Sequence, residues 1–551
     1  MALFSYRTEE MKPETVAELF VETEADRKAI NELIGQSPVI LEGSRGTGKS
    51  FLLRMAEQEM SERFEQDRVL PVYLSFKKSS LVQSSGENRF LYWMMSKLCS
   101  QTIRAFKARN FLQPSEASLT LSSGRLGNDE DALHKISNQF EESWRDPTTS
   151  IEVGSVPDVD NFIEAVEELC QRNGVERICI LFDEAAHVFR LEQQHAFFSL
   201  FRDLRNPYIT CNAAVYPGIT SYGGSFELAH DATLVRLDRN ISTSTYVESM
   251  REIVLKQANR KAVNGSSDEK RLAERIIRQA DASGPFASNF PLLAYCAHGN
   301  PRHLLKTIGT LKSYSVPDVE ATIKTYYREE VWKEHTALGE KFRSYKSIVD
   351  WGRDFVEEEL IPKLAKRNDN PETRGTKETT AFFWIHRDAP EEIKKALSLL
   401  SYVGLVQELD RGYRGTRKQL GIRFFVHLGA LLANAAHPAQ ELGKVVPTLA
   451  VKRMIEFGKN HQSFGDVEFE FEVSDDMLSI GVVQAQLAEP VEVLDLSEWQ
   501  ISKLDSNGFN DVGDVLSAGE DELRRIYMVG EVRSRQMYNA AKAAMLEYLL
   551  G

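Results

Sequence analysis

The segment Gly43-Ser44-Arg45-Gly46-Thr47-Gly48-Lys49-Ser50 constrains the fold more than any other feature of this chain. It fits GxxxxGK[ST], a glycine-rich loop that functions between a strand and a helix, where its backbone N–H groups and the helix N-terminus face phosphate oxygens. The context is right: the apolar run Val39-Ile40-Leu41 precedes it and Ser50–Ala56 can begin a helix. An α/β domain that binds a nucleoside triphosphate is therefore expected. Lys49 would neutralise the β/γ-phosphates and Ser50 would give its hydroxyl to magnesium.

Two further patterns fit that chemistry. Ile178-Cys179-Ile180-Leu181-Phe182 reads as a buried strand and ends in Asp183-Glu184. Asp183 would hold the magnesium shell, and Glu184 would orient the attacking water or accept its proton. Gly299-Asn300-Pro301-Arg302 opens a later helix, with Asn300 a good N-cap and Pro301 at a tolerated first-turn position. Arg302 is then placed either to report the γ-phosphate or to sit in water as an ordinary first-turn arginine.

At 551 residues the chain exceeds one core, and at roughly 100–200 residues per domain it divides into three or four. Residues 1–241 alternate apolar runs with helical stretches, as in an αβα core with a largely parallel sheet. Its strands are expected at Pro38–Leu41, Leu70–Leu74, Ile178–Phe182 and Tyr208–Tyr216, with a polar insertion from Leu112 to Pro157. Residues 242–327 read as a helical lid, with helices at Tyr246–Val263, Asp268–Ala282 and Pro301–Ser313. In residues 328–436, Asp388 can cap a helix that Gly404 closes, followed by strand-like Leu405–Leu409 and Ile422–Leu428 around the turn Asp410–Gly421. That succession is the outline of a winged helix. A bridge, 437–490, leads to a small all-α unit, 491–551, where Ser497 and Gln500 form a capping-box pattern.

Composition narrows the function classes. No apolar run approaches the roughly 20 residues that span a bilayer, and the start of the chain lacks a signal-peptide pattern, so a cytoplasmic protein without membrane partners is expected. The five cysteines never form CxxC and read as reduced core residues. His187, His298, His427 and His437 lack ligand-like spacing, and the pairs Tyr92-Trp93, Phe197-Phe198 and Phe424-Phe425 read as core. A formal charge of −14 argues against indiscriminate nucleic-acid binding but permits a local basic patch. One exists: Arg411, Arg414, Arg417, Lys418 and Arg423 crowd the hairpin turn against Asp410 alone. A flexible wing of this kind suits phosphate contacts to DNA, and equally describes a solvated hairpin or a subunit contact.

Taken in order, GSRGTGKS, ILFDE, AAVYPG, GNPRH and the winged-helix outline resemble the origin-recognition and initiator-type clade of AAA+ ATPases and its prokaryotic relatives, over roughly Phe20 to Ala436. The resemblance implies bound ATP and magnesium, Arg302 as a lid sensor, and an arginine finger on the helix before the fourth strand. Arg202 and Arg205 lie there, with Arg205 nearer the strand. It also implies a polar sensor at the end of that strand, where only Asn212 and Tyr216 are available. The C-terminal unit resembles the helix-hairpin-helix type found at the end of the bacterial RNA polymerase α subunit. That likeness implies phosphate contacts through Gly530, Arg533 and Arg535, while the unit's acidic character favours protein docking equally. The expected function is an ATP-controlled switch that binds DNA and hydrolyses ATP slowly. The alternative is a signalling or scaffold ATPase that regulates a protein partner, such as a bacterial defence effector, with self-association open in either case.

Overall fold

The computed structural model describes residues 4, 11–77, 82, 88–111, 115–121, 132–142, 151–185, 191–280, 285–341, 345–369, 378–464 and 487–550. His187, much of the insertion and part of the bridge lie outside the described residues. The chain divides into two compact units, Met1–Asp281 with Gly299–Gly309, and Ala282–His298 with Thr310–Gly551.

The first unit is built on five parallel strands, β1 (Val39–Glu42), β2 (Val69–Ser75), β3 (Arg177–Asp183), β4 (Ile209–Val215) and β5 (Thr233–Arg236), in the order β2-β3-β4-β1-β5. Position in the sheet accounts for each strand's sequence. The inner strands β3 and β4 are buried at every residue and read as continuous apolar runs, whereas edge strand β2 alternates along its second half. Alternate residues of β3 feed two cores, with Ile178, Ile180 and Phe182 on one face of the sheet and Cys179 and Leu181 on the other. All five cysteines are buried, and Trp93, Phe197, Phe198, Phe424 and Phe425 are core residues. Within the expected insertion, the described residues form helices Glu116–Leu121 and Ala132–Glu142.

The second unit carries β6 (Phe382–His386), β7 (Val406–Arg414), β8 (Leu420–Val426) and β9 (Ile455–Phe457), in the order β7-β8-β6-β9. The helix Glu391–Val403 precedes the β7-β8 hairpin and ends at Gly404 in the left-handed region. Asp388 does not cap it: Pro390 is the N-cap, and the Asp388 carboxylate faces the Arg387 guanidinium at 3.4 Å. A proline there supplies a fixed φ but no side-chain acceptor. The C-terminal residues have their own core around Leu504, Val512, Leu523 and Met537, and the Ser497–Gln500 capping box forms. No helix among the described residues is long and apolar enough to cross a membrane.

Candidate nucleotide site

Three strand ends converge on one edge of the parallel sheet. The loop 43–48 follows β1, Asp183 ends β3 and Tyr216 follows β4, which lies between them. Carboxyl ends of parallel strands are where open α/β sheets bind ligands. Gly46 and Gly48 take φ of +86° and +103°, and Gly48 caps the helix Lys49–Glu62. A Cβ on Gly46 would stand 2.6 Å from Asn300 Oδ1 and 2.7 Å from Arg302 Cβ. Glycine at 46 thus brings the loop against the helix Pro301–Thr310.

Asn300 fixes that approach. Its Oδ1 accepts the backbone N–H groups of Arg302 and His303, at 3.1 and 3.3 Å, while its Nδ2 donates to the Arg45 carbonyl at 2.7 Å. One side chain therefore caps the helix and ties it to the phosphate-binding loop. The helix ends at Thr310, short of the expected Ser313.

Lys49 is 7% exposed and donates to the carbonyls of Gly43 and Ser44, at 2.5 and 3.1 Å, with its ammonium 3.9 Å from the Tyr216 ring centroid. Burial pushes it down to about 7; Arg302 and Arg45 push the same way, and Asp183 and Glu184 pull it back up. Arg302 has a buried Nε with no hydrogen-bond partner among the described residues. A depressed ammonium, an orphaned guanidinium nitrogen and a glycine loop form a donor set that a polyphosphate satisfies.

Asp183 is 2% exposed and held at both oxygens. Tyr73 donates its hydroxyl to Oδ2 at 2.5 Å, and the Glu184 N–H donates to Oδ1 at 3.0 Å. Glu184 sits at φ +56°, a conformation uncommon outside glycine that turns the chain sharply at the strand end. The surrounding pocket encloses about 270 Å³, with Phe20, Ile253 and Leu305 among its apolar lining and Arg45, Lys49, Glu184 and Arg302 among its charged lining. It can accept a flat base and a polyphosphate together.

Other expected site residues lie elsewhere. Asn212 is not a phosphate sensor, because it is fully buried, with Oδ1 accepting from Val39 N at 3.0 Å and Nδ2 donating to Leu33 O at 2.8 Å. Tyr216 alone of the two lines the pocket. Arg202 is engaged with Ser225 O and Asp203, whereas Arg205 is 63% exposed and only 4.0 Å from Asp231. The basic residues 411–423 do not form one loose turn. Arg411 and Arg414 are on β7 and Arg423 on β8, and the turn is anchored by Thr416, whose N–H and hydroxyl donate to Glu456 at 2.7 and 2.6 Å. Arg411 pairs with Glu408 and Arg423 with Asp410, while Arg414, Arg417 and Lys418 are exposed and lack ion-pair partners among the described residues. Arg535 is likewise taken up, by Glu520 and Asn460.

Sequence reasoning missed Tyr73, Phe20 and Ile253, each of which reads as core in a strand or helix. The family profile described as ORC-CDC6-like matches residues 1–368, two thirds of the chain. Among solved structures the chain is similar to a Walker-type ATPase of Pyrococcus abyssi, at 14% identity and TM-score 0.34, covering 79% of this chain and 99% of that one. It is similar also to the Aeropyrum pernix ORC1 protein in complex with DNA, at 15% identity and TM-score 0.28, and to the Aeropyrum pernix ORC2 protein in ADPNP-ADP complexes, at 11% and 0.31. Each of these two covers 79% of this chain and 95% of its own. These likenesses assign no role to any residue. A search of curated proteins finds no match. The extent of the family match makes the conclusion plain: the chain belongs to the ORC-CDC6-like family and is an ATPase of the AAA+ type.

Proposed function

We propose that this ATPase is a nucleotide-controlled switch that binds DNA through the β7-β8 hairpin. The observation that carries the nucleotide half is the junction of loop and helix, where Asn300 bonds Arg45 and Arg302 keeps a buried nitrogen without a partner. Lys49 and Arg302 hold the polyphosphate. Ser50 and Asp183 are the residues that would hold magnesium, which when bound shields phosphate charge during transfer. Glu184 takes the proton of the attacking water or orients it. Because the γ-phosphate would engage Arg302, ATP and ADP leave the helix Pro301–Thr310 with different partners. The expected readout of that difference is assembly or DNA affinity.

The DNA half rests on Arg414, Arg417 and Lys418, cations without ion-pair partners among the described residues, on an anchored hairpin. Replacing all three by Ala should weaken duplex binding about equally across unrelated sequences, because phosphate contacts do not read bases. The slope of log affinity against log salt should fall by roughly 0.9 per lost contact, about 2 to 3 in all. ATP affinity should not change. An unchanged slope in a folded variant would favour the second reading, a scaffold ATPase whose partner is a protein, toward which the charge of −14 already points.

A further inference from the structure

We infer that the C-terminal unit carries a docking face for an acidic, apolar segment of a partner protein, formed by Trp499, Lys503, Tyr527, Met528, Val532 and Arg533. Its apolar members are conspicuously exposed: Trp499 39%, Tyr527 79%, Met528 62% and Val532 44%. Two cations bridge the first three into one surface. Lys503 Nζ lies 5.6 Å from the ring centroids of both Trp499 and Tyr527, and Arg533 lies over Trp499 at 4.5 Å while donating to the Met528 carbonyl at 2.8 Å. Val532, next to Arg533 in the chain, adds an exposed apolar side chain at the start of the same helix. Large aromatic side chains, Met and Arg are the types enriched where partners bury a central patch.

The charge pattern selects the partner. Between residues 487 and 551 there are twelve acidic residues against six basic ones, so each cation has carboxylates to choose from. Arg535 and Lys542 take them, from Glu520 and Glu392. Lys503 and Arg533 do not: both turn onto the aromatic surface, and neither forms an ion pair with a described residue. Arg524 and Arg525, just before Tyr527, are exposed and also without ion-pair partners among the described residues. Lys503 and Arg533, two cations without ion-pair partners among the described residues, stand at one exposed apolar face of an otherwise acidic unit and complement an anionic ligand.

A protein segment fits better than a nucleic acid. Met528 and Val532 offer aliphatic contact but no polar group, and Arg533 already covers the Trp499 ring against which a base would stack. At the start of the helix Glu531–Leu550, where phosphate would meet backbone N–H groups, Glu531 presents a carboxylate paired with Lys459.

The test uses the full-length chain and a fluorescein-labelled peptide that alternates Asp or Glu with Phe or Leu, followed by anisotropy. Controls are the same peptide with Lys in place of its acids, oligo(dT), and duplex DNA. The acidic peptide should bind, and the lysine peptide should not. Lys503→Glu with Arg533→Glu should weaken binding by at least about tenfold, and so should Tyr527→Ser with Met528→Ser. The second pair is largely solvent-exposed, so circular dichroism should show it folded, and the first can be judged against it. Absence of peptide binding, equal binding of the lysine peptide, or insensitivity to both variants overturns the inference. Displacement of the peptide by oligo(dT) or duplex DNA overturns it in favour of a nucleic-acid ligand. Loss of DNA binding in the hairpin variant of Arg414, Arg417 and Lys418 bears on the switch and leaves this face untouched.

Discussion

Tyr73 stands on edge strand β2 with the Arg54 guanidinium 3.3 Å from its ring centroid and its hydroxyl on Asp183. Burial, then the Asp183 charge, holds its phenol well above the usual range, so it stays a donor. Tyr73→Phe keeps the stacking on Arg54 but leaves Asp183 Oδ2 without that donor, and a hydrogen bond to a charged group contributes about 1.5–3 kcal/mol. The magnesium concentration for half-maximal turnover should rise about tenfold, with nucleotide affinity in EDTA unchanged; an unmoved magnesium midpoint would remove Tyr73 from this role. Lys49 makes a second prediction. Its folded value of about 7 lies below the ordinary 10.5, so between these values the unfolded chain binds the extra proton and the nucleotide-free protein gains stability as pH rises. Polyphosphate favours the charged ammonium, so binding at pH 8 should take up about 0.9 proton per site. Calorimetry in buffers of differing ionisation enthalpy measures this, and zero uptake contradicts the assigned burial. The phosphate-binding loop and Asp183-Glu184 are legible from spacing because their chemistry requires those residue types in that order. Tyr73 is not legible, because an aromatic in a β-run is ordinarily core and only the fold brings it to Asp183.

Elements became legible in proportion to how completely the fold buries them. β1, β3 and β4 announce themselves as apolar runs, whereas β5 is a four-residue edge with exposed ends and β9 has three residues. β9 pairs with β6 in parallel from within the stretch read as a bridge. Short edge strands take their pairing from a neighbour, so their own sequences carry little pattern. The expected turn at 410–421 became mostly strand because Gly421 admits Trp384 and Ile385 where any Cβ would collide, at 2.3 and 2.2 Å. The helix Trp332–Lys341 illustrates the opposite case, a polar group that burial does not satisfy. His335 is fully buried, and neither ring nitrogen has a hydrogen-bond partner among the described residues. Burial pushes it down to about 3, with Arg353 adding to the effect. Because that value is below the ordinary 6.5, the unfolded chain takes up the proton as pH falls through 6.5, and stability drops toward pH 3. His335→Leu should therefore stabilise by about 1–3 kcal/mol at pH 7 through removal of orphaned polar atoms. The advantage should widen by about 2 kcal/mol at pH 5, from the pKa difference alone. Urea unfolding at the two pH values checks both, and a variant no more stable than the parent at either pH contradicts the assignment.

At the scale of the whole molecule, the C-terminal helix Glu531–Leu550 meets the first turn of Glu391–Val403, where Lys542 pairs with Glu392 at 2.6 Å and Asn539 donates to the Ala389 carbonyl at 3.3 Å. With that turn engaged, the DNA contact proposed above would fall to the hairpin cations, as expected of binding by position rather than by base. On the helix Leu191–Asp203 and just beyond, Arg202 is held by Ser225 and Asp203, whereas Arg205 keeps 63% of its side chain in solvent. An arginine supplied in trans stabilises charge in phosphoryl transfer only once a neighbouring subunit is present. Arg205→Ala should thus lower ATPase activity at concentrations where subunits associate and leave dilute, dissociated protein unchanged. Glu184→Gln should disable hydrolysis within its own subunit if Glu184 acts as proposed. In an equal mixture of the two variants, a site works only when its subunit keeps Glu184 and its neighbour keeps Arg205. Under random assembly each condition holds for half of the subunits, so activity should recover to about a quarter of the parent value in a dimer or a closed ring alike. Sedimentation at the assay concentration establishes that the mixture has assembled. Activity no higher than the sum of the separate variants, in an assembled mixture, places Arg205 outside the neighbour's site.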